Sequence, residues 1–353
     1  MRRAIEHARR GLGRTTPNPV VGACIVSDDG VVLGQGAHER AGEPHAEVNA
    51  LEEAGGEARG ATLYCTLEPC VHTGKTGPCT DRTIAAAIRR VVAAMEDPFP
   101  LVGGRGFAML RANGIEVQTG VGYEAAVRLN QPFLTATRKG RPFVILKAAT
   151  SLDGHIAAGP GQRTQLTSAK ANTHAHYMRA YTDAIAVGSE TILVDDPLLT
   201  AREVYRERPL VRVVLDRRLR TPAGASLFST LSAGPVIILT AAESLRTERA
   251  DALQRAGARV IPMPGPGMAA ALSVLPNFDV QSLILEGGNH VQRAAWDEGV
   301  VDYVQLYLAP MWLGSGGLPL LEGCSLSPAS LIESRVEQLG PDVLIEGYVH
   351  RPH

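Results

Sequence analysis

At 353 residues the chain is longer than a single hydrophobic core ordinarily grows, so two domains are expected. Its 45% hydrophobic and 20% charged residues exclude a disordered or fibrous polymer, and 35 Lys plus Arg against 36 Asp plus Glu leave no basic excess for gripping a nucleic-acid backbone. Five cysteines, Cys24, Cys65, Cys70, Cys79 and Cys324, are an odd number and point to metal binding or buried thiols rather than a disulfide framework.

The opening MRRAIEHARRGLG recurs at helical spacing; it is basic but lacks the apolar run of a signal peptide. No apolar run reaches the roughly 18 residues of a membrane span, so the expectation is a cytoplasmic protein with neither membrane nor nucleic acid as partner. After a Thr/Pro/Asn cluster, β-branched runs over 20–26 and 31–33 predict a hairpin. The pattern then alternates: helix 46–54, strand 62–66, helix 80–87, strand 90–94, helix 107–113, strand 116–119 and a helix from Glu124. Such alternation predicts a layered α/β domain with a mainly parallel sheet. A polar stretch over 137–142 marks the expected boundary, dividing the chain into 1–142 and 143–353. Beyond it, strands over 143–148, 184–187, 211–215, 236–239, 259–261, 282–285 and 304–309 predict a second α/β domain.

The strongest chemical signal is His45-Ala46-Glu47 with Pro69-Cys70 and Cys79, one imidazole and two thiols on either side of a predicted strand. Three protein ligands make an open zinc site, which acidifies water toward neutrality at the remaining position. Glu47, two residues past the imidazole, is placed to shuttle protons without binding metal. From these residue types alone a structural zinc site, or simple burial, stays open. A structural site needs a fourth ligand, and the nearby Cys65 reads instead as a strand-end core thiol. His-x-Glu followed by Pro-Cys-x-x-Cys is the signature of zinc nucleobase deaminases. Here the insert 71–78 separates the cysteines, which argues against an ordinary cytidine or tRNA-adenosine deaminase.

The segments TTPNPVVGA, GAH, HAEVNAL, TLEPC, HTGKTGPC and MEDPFPLVGGRG together closely resemble the deaminase half of the bifunctional riboflavin-biosynthesis proteins of the RibD type. The resemblance implies a cytidine-deaminase-like α/β/α domain, with His45, Cys70 and Cys79 as zinc ligands and Glu47 as proton shuttle. It also implies that Asn18, His38, His72 and Lys75 line the pyrimidine and ribose-phosphate pocket.

In the second half, PFVILKAATSLDGHIA, AIAVGSETILVDDPLLTAR, SLILEGGNH and YLAPMWLGSGG contain no G-x-G-x-x-G, so the usual dinucleotide fingerprint is absent. Glu286-Gly287-Gly288 ends a predicted strand before a helix, a place where backbone N–H groups can meet a phosphate; alone, an ordinary tight turn fits equally well. The four segments in order resemble the reductase half of the same family, which implies a dihydrofolate-reductase-like α/β domain using NADPH. By that resemblance Ala149, Asp153, Gln165, Thr191, Asp195, Gly287 and Gly288 fall at the cofactor. Lys147, Arg163, Arg179, Leu199, Arg202 and Glu286 fall at the substrate, Arg179 and Arg202 being suited to a phosphate by their forked guanidinium groups. Two departures stand out: Gln165 replaces a common Trp, and Arg163 replaces a small polar residue.

The resemblance implies hydrolytic loss of the 2-amino group of a diaminopyrimidine ribose phosphate, then NADPH-dependent reduction of its ribosyl group to ribityl. It also implies self-association through the reductase domain. A single-activity zinc deaminase with a degenerate C-terminal domain is the alternative.

Overall fold

The alternating pattern folds, in a computed structural model, as two compact units, Met1–Lys139 together with the chain end, and Gly140–Arg351. The structure describes residues 1–71, 77–99, 103–202, 204–321, 323 and 330–352.

In the first unit α1 (Arg2–Ala8) precedes the hairpin β1 (Gly22–Val26) and β2 (Val32–Ala37), then α2 (Ala46–Ala54), β3 (Thr62–Cys65), α3 (Cys79–Ala85), β4 (Arg90–Ala93), α4 (Arg105–Ala112), β5 (Glu116–Thr119), α5 (Tyr123–Leu129) and α6 (Gln131–Lys139). The sheet order is β2-β1-β3-β4-β5, with β1 antiparallel to both neighbours and β3, β4 and β5 parallel. Apolar side chains at alternate strand positions, Ala23, Ile25, Leu63, Cys65, Val91 and Ala93, join Leu110 and Leu134 in one core. The hairpin lies so close beneath α2 that a Cβ on Gly36 would sit 2.3 Å from the Ala46 carbonyl oxygen, so only glycine fits. The helix expected from Glu124 is two helices divided at Asn130, whose side-chain amide bonds both the N–H and the carbonyl of Val20 (2.8 and 2.9 Å). Residues 137–139, read as linker, form the end of α6.

The second unit contains β6 (Phe143–Thr150), β7 (His155–Ala157), α7 (Ala169–Tyr181), β8 (Ala184–Gly188), α8 (Ser189–Asp195), β9 (Val211–Leu215), β10 (Val236–Thr240), α9 (Glu248–Arg255), β11 (Ala258–Pro262), α10 (Met268–Leu272), β12 (Ser282–Gly287), α11 (Asn289–Asp297), β13 (Tyr303–Leu308), β14 (Leu318–Pro319), β15 (Ile332–Leu339) and β16 (Asp342–Tyr348). Nine strands run in the order β11-β10-β9-β8-β12-β6-β13-β16-β15. The seven from β11 to β13 are parallel, and the antiparallel pair β16 and β15 closes one edge. Both faces of the parallel part are covered: Leu146, Leu239 and Leu285 pack into one core, Val187, Val214 and Ile238 into another. That is why these strands read as unbroken apolar runs. Asp302 anchors the start of β6, accepting from Arg141 (2.6 and 2.9 Å) and from the N–H of Val144 (2.9 Å).

Candidate active sites

In the first unit the metal-capable side chains sit at two helix N-termini. His45 is the N-cap of α2, Cys79 opens α3, and Cys70 follows the turn after β3. The partial positive charge of a helix N-terminus favours thiolate there. His45 Nδ1 lies 3.2 Å from Cys79 Sγ and 3.6 Å from Cys70 Sγ, and the three ligand atoms all lie within 4.8 Å of one another. Tetrahedral zinc with its usual bond lengths sets neighbouring N and S ligands about 3.6 Å apart, so these residues fit the metal. A hydrogen bond from the Cys79 thiol, aided by His45 and the Cys79 N–H, lowers Cys70 to about 4. Cys65 is enclosed in the sheet, its thiol pushed up by burial; among the described residues only His45, Cys70 and Cys79 form a metal-capable cluster.

Glu47, in the first turn of α2, is 3% exposed, and burial raises its carboxyl to about 7. It lines a cavity of about 370 Å³ with Asn18, His38, His45, Cys70, Asp97, Phe99 and Phe133. His38 Nδ1 lies 3.2 Å from the Pro44 carbonyl, which can only accept, so this nitrogen carries the proton. Nε2 then accepts from Asn18 Nδ2 at 3.0 Å. Burial lowers the His38 pKa, consistent with a neutral ring. His72 and Lys75 lie outside the described residues.

Glu68, within the TLEPC segment, carries no spacing signal of its own. Its carboxylate, 3% exposed, accepts the N–H groups of Asp97, Gly104 and Phe107 at 3.2, 3.0 and 3.1 Å, tying the β4 exit and the start of α4 to the Cys70 turn.

In the second unit a cavity of about 640 Å³ opens beside the C-terminal ends of β8 and β12. Lys147, Ala149, Arg163, Gln165, Arg179, Thr191, Asp195, Leu199, Arg202, Glu286, Gly287 and Gly288 all line it. Gly288 is the N-cap of α11, and Gly287 has φ +134°, a conformation that side chains disfavour. Glu286 pairs with Arg179 through two 2.6 Å bonds. Burial opposes the carboxylate, but the charges of Arg179 and then Lys147 prevail and hold Glu286 at about 2. Lys147 is lowered by burial and supported by Glu286; its ammonium lies 5.4 Å from the Tyr307 ring centroid. Burial raises Asp195, opposed by Arg163.

Asp153 is placed differently from the other residues expected at the cofactor. Its carboxylate accepts from the Ser151 hydroxyl (2.6 Å) and the N–H groups of Leu313 and Gly314 (3.1 and 2.8 Å), and it is absent from the cavity lining. Gln165 lines the cavity while donating to the Thr167 carbonyl at 2.8 Å. His176, which bonds both Arg179 and Arg202, was not anticipated, because a lone histidine inside a helix carries no spacing signal.

The family model for the cytidine and deoxycytidylate deaminase zinc-binding region matches residues 1–95, and that for the RibD C-terminal domain matches 142–345. The riboflavin biosynthesis protein RibD of Aquifex aeolicus is 40% identical over 98% of this chain and 96% of its own. The chain belongs to the RibD family. Among solved structures, Acinetobacter baumannii RibD superposes with TM-score 0.86 at 35% identity, covering 98% of this chain and 97% of that one. A Thermotoga maritima diaminohydroxyphosphoribosylaminopyrimidine deaminase/5-amino-6-(5-phosphoribosylamino)uracil reductase superposes with TM-score 0.84 at 36% identity, covering 99% and 97%. Like other RibD proteins, the chain is a bifunctional enzyme of riboflavin biosynthesis, with a zinc-binding deaminase domain and an NADPH-using reductase domain. Both domain models match, so the reading of a lone deaminase with a degenerate second domain is set aside.

Proposed function

We propose that residues 1–142 carry the deaminase and 143–353 the reductase, acting in that order on 2,5-diamino-6-(5-phosphoribosylamino)pyrimidin-4-one. The observation behind this reading is the convergence of His45, Cys70 and Cys79 on one point beside the buried Glu47, in a cavity also lined by Asn18 and His38. Zinc held by the three ligands supplies the Lewis acidity that makes water a nucleophile at neutral pH. Glu47 takes a proton from that water and delivers it to the departing nitrogen, so that water and the amidine give a carbonyl and ammonia. Asn18, the neutral His38, His72 and Lys75 together line the pocket for the pyrimidine and its ribose phosphate.

In the second cavity NADPH supplies the hydride. Ala149, Gln165, Thr191, Asp195, Gly287 and Gly288 face the cofactor. Lys147, Arg163, Arg179, Leu199, Arg202 and Glu286 would hold the sugar phosphate in place for reduction of the ribosyl group to ribityl. Asp153 acts by fixing the turn at 313–314, to which its carboxylate is already committed.

The expected setting is cytoplasmic; no helix among the described residues is long and apolar enough to cross a membrane. Self-association through the second domain rests on family likeness, and sedimentation of the intact chain tests it. The central test offers the diaminopyrimidine phosphate with and without NADPH. Ammonia release is expected in both cases, and NADPH consumption only after it. NADPH oxidation that precedes ammonia release would reverse the proposed order.

A further inference from the structure

Lys147, Glu286 and Gln305 stand on one rung of the second sheet: Lys147 pairs with Gln305 of β13, and Glu286 follows the Leu285 and Leu146 pair of β12 and β6. Their side chains share the face that α7 covers, since Arg179 of that helix bonds Glu286 and His174 bonds Tyr307. Tyr307, paired with Ala149, lies two residues further along the same face. Lys147 and Ala149 both line the cavity.

Glu286 gives both oxygens to Arg179 at 2.6 Å, so it balances the charge of Lys147 while its own bonds are directed elsewhere. Among the described residues Lys147 Nζ donates to no protein acceptor, which leaves its N–H groups for a ligand in the cavity. The group that locates the ammonium is the Tyr307 ring, whose centroid lies 5.4 Å from Nζ. A cation is drawn to the negative face of an aromatic ring, and more strongly where water is excluded.

The ring is itself immobilised. Tyr307 has no exposed surface, packs among Ala149, Ala171, Ala175, Leu339 and Leu344, and sets its hydroxyl 2.8 Å from His174 Nδ1. Burial raises the phenol, so the ring stays neutral and its face stays available to a cation. Of the charged groups around Lys147, Glu286 on β12 favours the ammonium, while Arg179 on α7 and burial oppose it. Glu346 of β16 stands one strand beyond and is engaged by Gln305 at 3.1 Å.

We infer that Tyr307 is a positioning residue of the reductase site: its ring, fastened by the hydroxyl to His174, holds the Lys147 ammonium where it meets the phosphorylated sugar. This rests on the reading of Lys147 as a substrate ligand.

The test uses the full chain and steady-state NADPH oxidation with the deaminated substrate, at pH values on either side of the Lys147 titration. Tyr307→Phe keeps the ring face and is the reference. The same variant carrying trifluorophenylalanine at that position keeps the ring's shape, but the fluorines drain its negative face. Relative to the reference it is expected to raise the KM for the substrate about tenfold, with kcat and the KM for NADPH changed less than about twofold. A ring that attracts the ammonium makes the amine harder to deprotonate, so the alkaline limb of kcat/KM should also move about one pH unit lower. Both changes are required: a raised KM without the shifted limb marks a packing effect and overturns the inference. In a Lys147→Met background the fluorines should have no effect, and an effect that persists there means that the ring acts through another group, which also overturns it. Identical behaviour of the two rings, beside a raised substrate KM in Lys147→Met, overturns the role of Tyr307 and leaves Lys147 as a substrate ligand. An unchanged substrate KM in Lys147→Met overturns that reading and the inference with it.

Discussion

Replacing Glu286 with Gln removes the anion that faces Arg179 and Lys147 while preserving side-chain shape. The pair is largely enclosed, with side-chain exposures of 10% for Glu286 and 15% for Arg179. Holding the carboxyl at about 2 instead of 4.5 corresponds to about 3 kcal/mol of preference for the charged form in the folded chain. Removing one partner of a buried pair typically costs about 3–5 kcal/mol, because the remaining cation keeps its desolvation cost, so the two routes agree. Because the folded pKa is the depressed one, this stabilisation is fully present above pH 4.5 and declines as pH falls toward 2. At pH 3 about 1.4 kcal/mol remains. Both tryptophans, Trp296 and Trp312, belong to the second unit, so fluorescence during urea titration reports on that unit alone. With a slope of about 2 kcal/mol per molar, Glu286→Gln should lower the midpoint by about 1.5 M at neutral pH and by roughly half that at pH 3. A midpoint difference that does not shrink on acidification would mean that the ion pair is not its source.

Glu47→Gln should abolish ammonia release while metal analysis still finds one zinc per chain; unchanged ammonia release removes Glu47 from the proton path. Cys79→Ser should lose zinc and ammonia release together while NADPH consumption with the deaminated substrate continues, and retained stoichiometric zinc would show that the trio is not the metal site. In Gly106→Ala the new Cβ would meet the Pro69 carbonyl oxygen at 2.2 Å, next to Cys70. It should therefore weaken zinc retention against a chelator, and wild-type retention would show that the Cys70 turn can yield. Glu68→Ala leaves three N–H groups, two of them buried, without their acceptor and should destabilise the first unit by about 3 kcal/mol. Hydrogen exchange at Asp97, Gly104 and Phe107 measures this, and unchanged protection there refutes it.

Much of the strand pattern was legible because buried parallel strands leave continuous apolar runs. Val211–Leu215 has the same limits in sequence and structure, α2 likewise runs over 46–54, and the mostly exposed Glu116–Thr119 keeps its limits too. The C-terminal hairpin β15 and β16 was not legible. It is an edge pair, β15 is mostly exposed, and its Glu-Ser-Arg-Val-Glu-Gln run lacks the apolar alternation that periodicity requires. The division at Asn130 escaped for another reason: its cause is a bond to Val20, distant in sequence.

The harder problem for sequence reading is to separate acids that act from acids that brace. Glu47 and Glu68 are equally buried, both stand in motifs beside zinc-ligand candidates, and no spacing rule tells them apart. Their partners do. Glu68 has its carboxylate occupied by three backbone donors fixed by the fold, bonds that hold the start of α4 in place. Both line the cavity, but Glu47, in the first turn of α2, has no comparable set of backbone donors, so a proton can come and go at lower structural cost. Asp153 follows the Glu68 pattern, occupied by Ser151, Leu313 and Gly314, although its SLDG motif reads from sequence as a cofactor position. A carboxylate saturated by backbone N–H groups is a poor choice for proton transfer even within a family's signature. The same criterion makes Glu47 the buried acid of the first cavity to mutate first.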